Sequence, residues 1–135
     1  IPYEIRLDVK GESYQELFSR LQTIFSEIDA RYPNKKKGVF LSNDTYANMF
    51  LNIIIQKYGC LPDSYELVGF DDSPIASESI IPISTVGQQI EEISHTAMEL
   101  LVQQMEERKK RKPELPTEPV HKQITPILIR RSTTK

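Results

Sequence analysis

The chain has 135 residues, 39% of them hydrophobic, which is enough for one domain with a core of ordinary size. Seventeen basic and nineteen acidic side chains leave a formal charge of -2, so no net positive field is available to grip a polyanion, and direct nucleic-acid binding by this piece is not expected. Cys60 is the sole cysteine, which excludes an intrachain disulfide, and no apolar run approaches the roughly 18 residues that span a bilayer.

A soluble, cytoplasmic protein with no membrane partner is the expectation. The chain opens at Ile1 with neither a methionine nor a targeting segment, which suggests a piece of something longer.

In chain order, residues 3–9 alternate loosely and read as a weak strand. Ser13 and Glu16 form a capping-box pattern, and Tyr14, Leu17, Phe18, Leu21, Ile24, Phe25 and Ile28 share one face of the helix that follows. Tyr32-Pro33-Asn34 ends it, and residues 38–42 read as a buried strand. Asn43 or Asp44 caps a second helix with Tyr46, Met49, Phe50, Ile53 and Ile54 inward, and Gly59 stops it. Residues 65–70 read as the next strand, with Asp71-Asp72-Ser73-Pro74 as its turn. Residues 75–83 have isoleucines but no period and read as a loop, and residues 84–87 as the lead into a third helix. That helix presents Ile90, Ile93, Ala97, Leu100, Leu101 and Met105 on one face. A charged run to Lys112 follows, then an extended linker held by Pro113, Pro116 and Pro119, and a final strand over residues 122–130 with Pro126 hinting at a sheet edge. The alternation of element types predicts an α/β fold with a parallel sheet.

Asn43-Asp44 and Asp71-Asp72 each follow a short apolar run, with one helix between them. A right-handed crossover makes the two strands parallel, so both polar pairs are predicted at the same carboxyl edge, where open α/β sheets bind ligands. Side chains rich in acceptors suit a neutral polyhydroxyl ligand or a cation better than a phosphate there. The plainer alternatives stay open: Asn43-Asp44 as a helix cap only, and Asp71-Asp72 as a turn only. His95 and His121 lack partners at metal-ligand spacing, and Cys60 has no neighbour that would make it a nucleophile. No catalytic residue, metal site or cofactor is expected, and the basic run 108–112 reads as a solvated helix end.

The string Leu67-Val68-Gly69-Phe70-Asp71-Asp72, followed by Ser84-Thr85-Val86-x-Gln88 and a helix carrying Ile90-Glu91-Glu92 and Ala97-x-x-Leu100-Leu101, resembles the effector-binding core of LacI/GalR bacterial transcription regulators. Phe40-x-x-Asn43-Asp44 upstream and Arg131-Ser132-Thr133 at the close fit the same pattern. Gln89 stands where the family more often has proline. The resemblance implies a Rossmann-like, three-layer αβα lobe of a periplasmic-binding-protein-like domain. Residues 1–135 are then the C-terminal part of an effector-binding domain, without its DNA-binding headpiece, and residues 87–108 form a helix that packs on a missing N-terminal lobe. It further implies that Asn43 and Asp71 hydrogen-bond a small-molecule effector, a sugar or sugar derivative, while Asp44 and Asp72 support the turns from behind. A homodimer is implied too, with Ile75, Ile80 and Ile81 as interface candidates, although those isoleucines equally suit capping of the core. Operator DNA would be reached only through the missing headpiece.

The function implied is effector sensing and dimerisation in a repressor that is not an enzyme. One alternative is a lobe of a transporter-associated solute-binding protein. A magnesium-dependent phosphotransfer domain using Asp71 and Asp72 is the more distant one.

Overall fold

The computed structural model describes residues 13–110, 112 and 119–135. The weak strand expected at residues 3–9 and most of the proline linker lie outside them. The elements run α1 (Tyr14–Arg31), β1 (Lys37–Phe40), α2 (Asp44–Tyr58), β2 (Tyr65–Phe70), α3 (Pro74–Glu78), β3 (Ser84–Gly87), α4 (Ile90–Lys109) and β4 (Ile127–Ile129). They form one four-stranded sheet in the order β1-β2-β3-β4. The first three strands are parallel and β4 is antiparallel at the edge, as Pro126 hinted.

Local chemistry sets the helix ends. Ser13 and Glu16 close the capping box on α1, with Ser13 N–H donating to Glu16 Oε2 at 2.8 Å. Gly59 stops α2 in the left-handed region, at φ 75. Leu17, Leu21 and Phe25 of α1 meet Phe50, Leu51 and Ile54 of α2 and Tyr65 and Leu67 of β2 in the buried core. Burying each such side chain is worth about 1.5–3 kcal/mol, which is what holds α1 and α2 on the sheet. Phe25 sits at the centre, 5.8 Å from both the Phe50 and the Tyr65 rings.

Burial alternates along β2: Tyr65, Leu67 and Gly69 are buried, whereas Glu66, Val68 and Phe70 are half-buried. The opposite sheet face is the wetter one, and there Phe40 meets Phe70 edge to face at 6.5 Å while remaining 63% exposed.

Several expectations need correction, among them the buried strand at residues 38–42, which is β1 over Lys37–Phe40 with no residue fully buried. Residues 84–87 are not a lead into a helix but strand β3, in register with β2 through Val68↔Ser84 and Phe70↔Val86. Within the expected loop 75–83, Pro74–Glu78 forms the short helix α3, whose Ala76 is buried, and Ile83 is fully buried at the start of β3. The last strand is confined to Ile127–Ile129, the residues that pair with β3, and residues 122–126 are outside any strand.

The fourth helix starts at Ile90 rather than Gly87, and not one of its residues is buried. Ile90, Met98, Leu101 and Met105 are each about half exposed or more. No helix among the described residues is long and apolar enough to cross a membrane.

Candidate functional site

Parallel pairing of Phe40 with Val68, and of Phe70 with Val86, brings the ends of β1, β2 and β3 to one carboxyl edge. Asn43 follows β1 there, Asp71 and Asp72 follow β2, and Gln88 follows β3. Asn43 is half-buried in extended backbone, and its Oδ1 accepts from Tyr46 N–H at 2.9 Å, capping α2. Its amide nitrogen stays uncommitted among the described residues.

Asp44 is the structural centre of this edge. It is only 1% exposed, and its carboxylate takes a hydrogen bond from Thr85 Oγ1 at 2.5 Å on one oxygen. The other oxygen accepts from Ser73 N–H at 2.8 Å and from Ser73 Oγ at 3.1 Å. A buried carboxylate is tolerable only when its oxygens are satisfied in this way, and its place in the first turn of α2 adds the favourable helix dipole. One side chain thereby joins the turns after β1 and β2 to the middle of β3. Gly69 makes room for it, since a Cβ at that position would lie 2.3 Å from Asp44 Oδ1.

The second pair is strained. Asp71 has φ 100 and Asp72 φ 52, both in the region that side-chain-bearing residues seldom occupy. Strain of this kind gathers at ligand sites and persists where surrounding bonds over-determine it. Asp71 N–H donates to Val86 carbonyl at 2.9 Å, and Asp71 Oδ1 accepts from Gln88 Nε2 at 2.5 Å. Asp72 turns away to Arg131, whose Nη2 lies 2.7 Å from Asp72 Oδ1 while Nη1 donates to Ile83 carbonyl at 3.0 Å. The two carboxylates are thus separated in role: Asp71 is exposed on the rim and Asp72 is neutralised.

Asn43 and Asp71 therefore follow parallel strands at one edge, with Asp44 buried between their turns and Asp72 exposed and paired with Arg131. Gln88 completes the rim, and residue types alone could not single it out, because its link to Asp71 depends on residues 84–87 forming a strand beside β2. The interface candidates divide. Ile81 packs against the core and Ile75 is half-buried, whereas Ile80 is 74% exposed. No group of three His, Cys, Asp or Glu able to hold a metal gathers among the described residues.

The closing segment explains its own sequence. β2 and β3 pair only from Val68 and Ser84 onward, which leaves Leu67 carbonyl and Ser84 N–H without each other. Thr133, 1% exposed, fills that gap: its Oγ1 accepts from Ser84 N–H at 2.8 Å and donates to Leu67 carbonyl at 2.7 Å. Leu67 N–H in turn donates to Thr133 carbonyl at 3.0 Å.

A mostly parallel sheet with strained and polar residues at its carboxyl edge defines an α/β ligand-binding lobe. The chain belongs to the periplasmic binding protein-like domain family, whose profile matches residues 3–134. It is 30% identical over 81 residues to the ribose operon repressor of Bacillus subtilis, covering 60% of this chain and 24% of that protein. It is 32% identical over 95 residues to the probable HTH-type transcriptional repressor ExuR of Bacillus subtilis, covering 70% and 27%. Among solved structures, a LacI family transcriptional regulator from Lactobacillus casei with bound sucrose shares the fold at a TM-score of 0.62 and 22% identity, over 87% of this chain and 40% of that one. These relatives bear out the resemblance to LacI/GalR regulators. The chain spans about a quarter of the length of the two curated relatives.

Proposed function

We propose that the chain is the effector-sensing lobe of a bacterial transcription repressor, that it is not an enzyme, and that the repressor works in the cytoplasm. What supports this reading is that Asn43, Asp71 and Gln88 follow three parallel strands at one carboxyl edge, Asp71 exposed and the two amides partly so. A carboxylate accepts from two neighbouring hydroxyls, and the amides both donate and accept, which suits a sugar. Arg131 is already committed to Asp72, so among the described residues this rim offers no spare cation, and a neutral sugar is favoured over a uronate or a sugar phosphate.

The second half of the site comes from another lobe. Support for this is α4, a 20-residue helix without a buried residue, whose apolar arc of Ile90, Ile93, Ala97, Leu101 and Met105 needs cover. Closure of the two lobes on a sugar would change operator affinity only through its different affinity for the closed and open forms. The headpiece that reads the operator lies in the remainder of such a repressor. The curated relatives are repressors, and nothing on the rim favours the transporter alternative.

Substituting Asp71→Ala or Asn43→Ala in the intact protein should cut sugar affinity by about 10- to 100-fold, the loss of one or two hydrogen bonds to a bound polar ligand, while leaving operator binding in place. Calorimetric titration with a panel of neutral pentoses, hexoses and disaccharides beside matching uronates checks this. Tighter binding of the uronates, or unchanged affinity in both variants, would overturn the reading.

A further inference from the structure

Between β3 and α4 the backbone turns at Gln89, which lies in the left-handed region at φ 53 and ψ 54. A residue with a full side chain is held there only against a steric penalty. Gln89 stands at the N-cap of α4 yet makes no side-chain cap bond. Its amide is used elsewhere, donating from Nε2 to the carbonyl of Thr125 at 2.5 Å. Gly87 of β3 is the register partner of Ile127 of β4, so this bond ties the segment leaving the sheet to the segment returning to it. The preceding residue, Gln88, donates to Asp71 Oδ1. Two adjacent side chains therefore grip two different things, the candidate effector residue and the crossover.

We propose that Gln89 is a positioning residue that latches residues 88–90 to residues 124–126 and thereby couples the state of Asp71 to the direction in which α4 leaves the lobe. The proposal rests on the effector-binding reading given above. A ligand hydroxyl that occupies Asp71 Oδ1 releases Gln88 Nε2. Gln88 and Gln89 are adjacent in one short turn, so loss of the Asp71 tether leaves the Gln89 latch to Thr125 as the remaining side-chain hold on that turn. A left-handed residue makes such a joint two-state rather than smoothly bending, because the neighbouring conformations are sterically barred.

A ligand-free double-mutant cycle tests this without knowledge of the effector. Spin labels at Gln104→Cys on α4 and Glu27→Cys on α1 are placed in the intact protein, in a background without other cysteines, and the distance distribution between them is measured. Gln89→Gly accepts the left-handed backbone but has no amide; the expected result is a broadened distribution with α4 helicity unchanged. Asp71→Ala, which removes the acceptor of Gln88, should shift the distribution when Gln89 is present and leave it unmoved when residue 89 is glycine. If Gln89→Gly does not fold, Gln89→Asn serves, since asparagine tolerates this φ and is one methylene too short to reach Thr125. A lowered melting temperature with unchanged distances in Gln89→Gly would reduce Gln89 to a structural residue, and independent effects of the two substitutions would remove the coupling. Failure of the effector-binding reading shows separately, as a sugar affinity that Asp71→Ala does not alter.

Discussion

Asp44 and Asp29 are two carboxylates held by hydrogen bonds at opposite ends of the sheet. Asp44 is buried and bonded on both oxygens, so Asp44→Ala strands the donors on Thr85 and Ser73 and should cost about 2–4 kcal/mol, read from the urea midpoint. Asp44→Asn should cost less, because one oxygen remains to accept. Asp29, at the other end of the sheet, accepts from Lys57 Nζ at 2.7 Å, Tyr58 hydroxyl at 2.5 Å and Tyr65 hydroxyl at 2.9 Å. Partial burial works against its charge, but those three donors and the Lys57 ammonium outweigh it and hold the carboxyl at about 2 instead of 3.8. Its folded value lies below its unfolded one, so the stabilisation is fully present above pH 4 and drains away as pH falls toward 2. Chemical denaturation between pH 5 and pH 2 should show that loss, and Asp29→Asn should flatten it. Neither role is written in local sequence: Thr85 is 41 residues beyond Asp44, and Tyr65 is 36 beyond Asp29.

At the scale of elements, the parts legible beforehand were those with a strong local period or cap. The α1 capping box, the glycine stop of α2 and the shared edge of Asn43 and Asp71 all follow from pattern and from crossover handedness. β3 was hidden because Ser84, Thr85 and Gly87 carry no hydrophobic signal. They are buried for a different reason, since Thr85 serves Asp44, Ser84 serves Thr133, and a Cβ at Gly87 would come within 2.9 Å of Ile129 Cδ1. α3 was hidden by brevity, five residues being too few to show a period. Close packing between elements gives a direct test at Gly69, where an added methyl meets Asp44 Oδ1 and comes within 3.2 Å of Asp44 Cα. Gly69→Ala should therefore push α2 off β2 and cost about 1–3 kcal/mol, a lower melting temperature that Gly38→Ala, with open space around it, should not produce.

For the molecule as a whole, the apolar arc of α4 and the sheet face carrying Phe40 are exposed, as the proposed pairing with a second lobe requires. The isolated 135-residue piece should bind a hydrophobic dye and self-associate, and Leu101→Glu with Ile93→Glu should suppress both. In the intact protein the same pair should instead loosen the contact between lobes, visible as raised hydrogen exchange along α4. Ile80, the most exposed of the three loop isoleucines, is the one whose change to Glu should weaken a homodimer in sedimentation, whereas Ile81 should affect stability. The place of Thr133 has a kinetic consequence. Leu67 and Thr133 are 66 residues apart, so the seam between β2 and β3 stays open until the whole α4 excursion has been synthesised and brought back. During synthesis the sheet therefore carries one unzipped end for the 66 residues between Leu67 and Thr133, and a chain cut short of Thr133 keeps its carboxyl edge but leaves the far end unsewn.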